Sequence, residues 1–331
     1  MEFRGSTLVT GASGFIGRHT VAQLVARGVR VRATALQAQD EPYFERLGVE
    51  FVPSDLTKPE TLPGLFTGVD RVCHLGAICN LSTPYERLYP INVLGVDHIT
   101  RLALAAGVRR FVHVGSTSVY GRYRGMPFTE DAPRHPQDDY GRSKRDGEDV
   151  VWRRIREGLP AVITRPCTVY GPGCNDGAGK VFSRRTSILA IPGSGKQRLS
   201  NVRVEDVAAA VVHLADCDDA VGKAFNIVDD SHPTVEEALT IAARTFGARP
   251  PRLHLPIAMV KAFARVDGLA AKLRGRIPDL EYDAVRFLGD DYAVDNAALK
   301  ATGYRLIYPD FEASIRQLTS SSRSPPGRGA G

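Results

Sequence analysis

Short apolar runs that alternate with longer helical patterns limit what this chain can fold into more than any other feature. GSTLVT (5–10), VRVRATAL (29–36), VEFVPSDL (49–56), RVCHLGA (71–77), RRFVHVGSTS (109–118) and LPAVITRP (159–166) have the length and β-branched content of strands. FIGRHTVAQLVARG, the stretch 91–106 and the stretch 140–157 carry helical spacing between them. Strands joined by helices of about 10 to 15 residues pair in parallel, because a tight turn cannot connect them. The pattern therefore predicts an α/β fold: a doubly wound parallel sheet with helices on both faces. Beyond residue 170 it loosens into Gly-rich loops, then returns with a helix at 204–215 and a strand at 224–229. We expect one domain over 1–170, rejoined by 203–230. A smaller, mostly helical substrate lobe is expected from 171–202 and 231–319. The Ser/Pro/Gly/Arg-rich end, 320–331, reads as a disordered tail.

Composition narrows the function classes. No apolar run approaches 18 residues, so no membrane span and no membrane partner are expected. The first strand pattern begins almost at once, leaving no room for a signal peptide. A net charge of +6 is compatible with nucleic-acid binding, but the basic residues are scattered and no aromatic-studded stripe accompanies them. We expect no nucleic-acid partner. The five cysteines, Cys73, Cys79, Cys167, Cys174 and Cys217, are irregularly spaced with no His cluster beside them. That argues against a disulfide framework and a metal site, and suits a reducing cytoplasm.

Chemistry concentrates at two places. Gly11, Gly14 and Gly17 lie between the first strand and the first helix, in the order G-x-x-G-x-x-G. Such a turn lets backbone approach a pyrophosphate, and the helix N-terminus supplies free N–H groups. In DDYGRSKRDGE, Tyr140 and Lys144 stand one helical turn apart. By chance this composition gives roughly a quarter of such a match, so the pair gains meaning only beside the glycine turn.

TGASGFIG, SDL at 54–56, GSTSVYG at 115–121, YGRSK and RPCTVYGPG at 165–173 occur in this order. Together they resemble the extended short-chain dehydrogenase/reductase superfamily, also called the NAD-dependent epimerase/dehydratase family. The region after 230 is similar to its sterol-dehydrogenase and ketone-reductase side. The resemblance implies a Rossmann-type fold with Tyr140 as general acid/base, Lys144 as its partner and Ser116 holding the reacting oxygen. It implies cofactor contacts from Gly11, Ser13, Gly14, Phe15, Ile16, Gly17, Asp55, Leu56, Gly76, Ala77, Asn92, Tyr140, Lys144 and Pro166. The residue-level alternatives are an N-cap for Asp55, a capping role for Asn92, and Thr117 or Ser118 as strand-end hydroxyls. The chemistry is coherent: hydride transfer to a ketone needs a proton at the developing alkoxide. An ammonium about 5 Å from the phenol contributes roughly 3 kcal/mol toward its ionisation.

Departures from the family pattern refine the reading. The second strand ends Ala33-Thr34-Ala35-Leu36-Gln37, without the acid common in NAD users or the Arg common in NADP users. NAD or NADP is expected, and the reading leans to NADP. Thr168 and Leu199 stand where sugar-nucleotide epimerases place an Asn and an Arg, with Arg198 adjacent to Leu199. The expected activity is hydride exchange between a nicotinamide and an alcohol or ketone. A nucleotide-sugar epimerase and a non-catalytic cofactor-sensing regulator are the alternatives. The expected partner is a small-molecule substrate, and a homodimer is compatible. Ile257, Met259, Val260, Phe263 and Val266, in the stretch 256–266, are either an apolar substrate wall or lobe core.

Overall fold

The computed structural model describes residues 5–121, 127–175, 178–183, 190–274, 285 and 291–321. The chain divides into two compact units. The first contains Met1–Cys167, Val204–Ile227 and Asp295–Arg305. The second return, Asp295–Arg305, departs from the expectation that 231–319 stays in the second lobe. Tyr304 explains it, because its hydroxyl donates to Asp206 Oδ1 at 2.8 Å in the returning helix Val204–Asp216. Most of the expected tail, 322–331, lies outside the described residues, while 320 and 321 end the helix Phe311–Ser321.

Seven strands form the sheet of the first unit: β1 (Ser6–Thr10), β2 (Val31–Thr34), β3 (Glu50–Phe51), β4 (Val69–His74), β5 (Arg110–Val114), β6 (Ala161–Pro166) and β10 (Ala224–Ile227). Their order is β10-β6-β5-β4-β1-β2-β3, and every pairing is parallel. The expected doubly wound sheet is present. Alternation along the strands sorts two cores. Leu8, Val72, Phe111 and Ile163 face one side with Val96, Ile99 and Val151. Their chain neighbours Val9, Cys73 and Val112 face the other side with Val21, Leu24, Val211 and Val212. A sheet covered on both faces is what parallel strands require. The order reverses between β1 and β4, and in open α/β sheets ligands bind at the strand ends there.

Helix Asp139–Arg156 sits close to the sheet because of its glycines. A Cβ on Gly147 would lie 2.3 Å from the Asn92 carbonyl oxygen, and one on Gly141 would lie 2.6 Å from the Ser118 carbonyl oxygen. The facing segment, Pro90–Gly95, is a π-helical turn. Asn92, buried in that turn, donates through Nδ2 to Ser143 Oγ at 2.9 Å and to Ile78 O at 3.0 Å. Its Oδ1 accepts from the Ile78 N–H at 2.8 Å.

The second unit contains Thr168–Arg203, Val228–Val294 and Leu306–Gly331. Two short parallel pairs lie here: β7 (Thr168–Tyr170) with β9 (Asn201–Arg203), and β8 (Ala190–Pro192) with β11 (Leu253–Leu255). Tyr170, Phe182 and Phe311 meet edge to face and anchor a core with Ile191, Val235 and Leu239. Helix Val235–Thr245 begins with a capping box between Thr234 and Glu237. In helix Ile257–Leu273, Met259, Phe263 and Val266 are exposed and do not pack a core, while Ile257 and Val260 are half-buried.

Gly147→Ala is expected to destabilise the protein by roughly 1–3 kcal/mol, because the added methyl meets fixed backbone. Gly64→Ala, where a Cβ meets nothing within 4 Å, is expected to stay within about 0.5 kcal/mol. Thermal denaturation of the two variants makes the comparison, and equal melting temperatures would disprove the close approach.

Candidate active site

The glycine turn follows β1. Gly11 has φ +64°, and a Cβ there would meet the Gly76 backbone at 2.7 Å, so the ends of β1 and β4 touch where the strand order reverses. A Cβ on Gly17 would lie 2.2 Å from the Gly11 carbonyl oxygen, which fixes helix Phe15–Ala26 against the turn. Gly14 is the N-cap and brings no side-chain hydrogen bond, leaving the first-turn N–H groups without a cap. Apart from the Gly11 carbonyl oxygen at 3.2 Å, the space beside Gly14 is open. The Ser13 hydroxyl is buried and has no hydrogen-bond partner among the described residues. An orphaned donor, an uncapped helix start carrying Phe15 and Ile16, and a Cβ-free approach fit a bound pyrophosphate.

The other expected contacts divide by their surroundings. Gly76 donates its N–H to Thr10 Oγ1 at 3.2 Å, and Leu56 packs against it: a Cβ there would meet Leu56 Cδ1 at 2.7 Å. Ala77, just beyond, is exposed. Asp55 accepts from the Thr57 N–H at 2.9 Å and the Thr57 hydroxyl at 2.7 Å. It therefore holds a local turn, and those bonds keep its carboxyl below the usual range. Pro166 closes β6 opposite Ile227 of β10. Asn92 has both amide hydrogens engaged within the protein, which makes it a brace between the loop after β4 and the helix of Tyr140. Arg32, within β2, donates to the Leu65 and Thr67 carbonyls and pairs with Glu50.

Tyr140, Ser116 and Lys144 come together at the carboxyl ends of the strands. Ser116 follows β5 and caps a short turn, its Oγ accepting from the Ser118 N–H at 3.1 Å. Its hydroxyl donates to the Ser118 hydroxyl at 3.1 Å and lies near the Tyr140 phenol. Thr117 is buried in the same turn and Ser118 half-buried. Asp138 caps the helix, accepting from the Gly141 N–H at 2.7 Å, so Tyr140 sits in the first turn. One turn on, Lys144 Nζ donates to the Val114 carbonyl at 2.7 Å.

Burial governs the protonation of this group. It raises the Tyr140 phenol well above its ordinary value, and the nearby Cys79 raises it further. The nearby Ser116 hydroxyl acts in the opposite direction. Burial also lowers the Lys144 ammonium to about 8, against the opposing fields of Cys79 and Glu148. In the bare chain the phenol lies well above its ordinary value, with no cofactor charge beside it. The reason is physical: desolvation of a fully buried phenol outweighs the nearby charges.

Two participants escaped the sequence reading. Cys79, exposed five residues past β4, lies near enough to Tyr140 to raise its phenol. No spacing rule links them. Glu148 stands one further turn along the Tyr140–Lys144 face, so its i+4 spacing was a legible signal. Completely buried, it receives Arg165 through Nε at 3.0 Å and through Nη2, with Trp152 and Arg134 also donating. Arg165 also donates to the Tyr120 hydroxyl at 2.8 Å, and that hydroxyl donates to Asn226 Oδ1. A polar cavity of about 520 Å³ beside this network is lined by Glu130, Arg134, Trp152, Arg165 and neighbours, and by none of Ser116, Tyr140 and Lys144.

The chain is similar to known proteins in sequence and in fold. The profile of the NAD dependent epimerase/dehydratase family matches residues 7–228. A ceramide reductase of Caulobacter vibrioides is 33% identical across 77% of this chain and 75% of its own. Sterol demethylase protein B of Methylococcus capsulatus is 28% identical across 94% of this chain and 98% of its own. Among solved structures, MoeE5 in complex with UDP-glucose and NAD superposes with a TM-score of 0.74 at 25% identity, covering 97% of this chain and all of that one.

Lys144 gives the site a pH signature. Its proton is held less tightly in the folded chain, at about 8, than at the ordinary 10.5 of the unfolded one. Between those values the unfolded state binds more protons, so this position adds stability as pH rises. Relative to Lys144→Met, the wild type is expected to gain roughly 2–4 kcal/mol between pH 7 and pH 10.5. Urea denaturation of both proteins across that range measures it, and a constant difference would disprove the buried-ammonium assignment.

Proposed function

The chain belongs to the NAD dependent epimerase/dehydratase family, and from that premise we propose that this enzyme is an oxidoreductase moving a hydride between a nicotinamide cofactor and a small alcohol or ketone. The observation that carries the reading is the buried Tyr140 phenol, beside Ser116 and one helical turn from Lys144. The bound nicotinamide supplies or accepts the hydride. Tyr140 moves the proton at the substrate oxygen, and the Ser116 hydroxyl orients that oxygen. Lys144, held by the Val114 carbonyl, keeps a positive charge beside the phenol. Burial leaves the phenol protonated at neutral pH, the state that ketone reduction needs. An aligned proton donor of this kind has no use in a sensing regulator.

NADP is the cofactor form we assign. Support comes from the end of β2, where Leu36 is exposed and no acid follows directly. The nearby Asp40 is paired with Arg18 at 2.7 Å, and Arg18 Nε donates to the Ser13 carbonyl. A guanidinium already beside the glycine turn favours an additional phosphate. Binding of NAD, tight and in preference to NADP, overturns this choice.

For the substrate we propose an apolar carbon skeleton, taken in the second unit. Leu199 packs with that unit's core. Arg203 is buried, donating to the Ser314 carbonyl at 2.9 Å and lying 4.0 Å from the Tyr308 ring centre, so it is committed within its own unit. The names of two relatives refer to a ceramide and a sterol. One observation favours the epimerase reading. Asn201, register partner of Thr168, holds a buried amide whose Nδ2 and Oδ1 have no partner among the described residues. That amide is available to a polar substrate. A cytoplasmic location and a homodimer complete the proposal.

Tyr140→Phe is expected to lower turnover at least about 100-fold with cofactor affinity retained, since only proton transfer is lost. The assay pairs calorimetry for NADP and NAD with a panel of apolar ketones and nucleotide sugars, read by cofactor absorbance and product analysis. Redox-neutral epimerisation of a nucleotide sugar, lost in Asn201→Ala, would replace the reductase reading. Near-wild-type turnover in Tyr140→Phe would reject the proton donor.

A further inference from the structure

Helix Ile257–Leu273 is turned inside out for a solvated helix. At about 100° per residue, Met259, Ala262, Phe263, Val266, Leu269 and Leu273 share one face. That face is the exposed one: Met259 is 58% exposed, Phe263 65%, Val266 67%, Leu269 63% and Leu273 81%. The face turned to the protein carries Ala264 and Ala271, each 1% exposed. Ile257 and Val260 are half-buried on that same inward face, yet most of the large apolar side chains point outward, the reverse of what burying a helix normally achieves. A contiguous stripe of this kind marks an interaction surface.

Charge identifies the occupant. Residues 249–274 contain six Lys or Arg and one Asp, in a chain whose whole net charge is +6. Arg265 flanks one edge of the stripe with the half-buried Lys261 behind it, and Arg274 lies at the other edge near the end. Arg249 and Arg252 are exposed just before the helix, beside Leu253, itself 58% exposed. Apolar residues flanked by long basic side chains match an interface in which the stripe enters acyl chains and the cations reach anionic headgroups. A second copy of the same face would bring these basic edges together and repel. Among the described residues no helix is long and apolar enough to cross a membrane, so the fitting arrangement is a helix lying in the surface plane.

We propose that the outward face of helix Ile257–Leu273 docks this protein on an anionic lipid surface. The absence of a membrane partner expected from the sequence rested on spanning segments, and a surface helix escapes that criterion. The inference stands apart from the redox reading, because it is tested by binding alone.

The full chain is floated with vesicles of phosphatidylcholine, with and without about a third phosphatidylglycerol, at low and high salt. Binding to the anionic vesicles is expected to exceed binding to neutral ones at least about tenfold at low salt, and to fall in high salt. Phe263→Glu combined with Leu269→Glu is expected to lower it at least about tenfold more, with melting temperature and cofactor affinity unchanged, because both side chains are exposed. The proposal is overturned if wild type fails to float with anionic vesicles, or if the double variant binds as well. It is equally overturned if sedimentation shows the wild type as a dimer that the double variant splits, with no vesicle binding. In that case the stripe belongs to a second copy.

Discussion

The closeness of helix Asp139–Arg156 to the strand ends is the constraint on which the candidate site depends. Two glycines permit it, since a side chain at either position would collide with backbone, the Ser118 carbonyl at one and the Asn92 carbonyl at the other. Asn92 then fastens the helix by bonding Ser143 on one side and the loop after β4 on the other. Seated this way, the first turn places Tyr140 against Ser116 and the second brings Lys144 to the Val114 carbonyl. The same approach puts Cys79 within reach of the phenol. Remove the close contact and three separate elements no longer share one point.

A second consequence is electrostatic. Seating the helix buries a phenol, an ammonium and, one turn deeper, a carboxylate. Burial alone disfavours every charged form, so the site needs compensation. Glu148 and Arg165 provide it as a hydrogen-bonded pair extended to Tyr120 and Asn226. Such pairs contribute little net stability, since desolvation offsets most of their attraction. Their effect here is positional: they tie β6 and β10 to the helix that carries Tyr140. The stacked histidines of neighbouring strands, His74 and His113, lie in the same interior. Burial lowers His74 to about 3 and His113 well below its ordinary value. Both are therefore neutral and add no charge beside Lys144.

Much of this was legible in the sequence. Period-two alternation and strand-helix succession depend only on local geometry, so the parallel sheet and its approximate strand limits followed directly. The glycine turn was equally readable, because its three glycines meet constraints within a single strand-turn-helix unit. Register and long-range contact were harder. The return of Asp295–Arg305 rests on long-range contacts, Tyr304 with Asp206, Thr302 with His213 and Asp295 with Phe128, which leave no periodic trace. Cys79 likewise owes its place beside Tyr140 to the fold.

The sequence by itself determined the fold class, the phosphate turn and the spacing of Tyr140, Lys144 and Glu148 on one helix face, because each follows from residues near one another in the chain. Tertiary structure alone decided which of these groups are charged. Protonation depends on desolvation, and desolvation depends on packing from distant segments. It also decided the orientation of helix Ile257–Leu273. An apolar stripe in a sequence says that one face avoids water, but whether that face meets a core, a ligand or a surface is set by what packs behind it. Here two alanines take the inward side with the half-buried Ile257 and Val260, and Met259, Phe263, Val266, Leu269 and Leu273 are left outside.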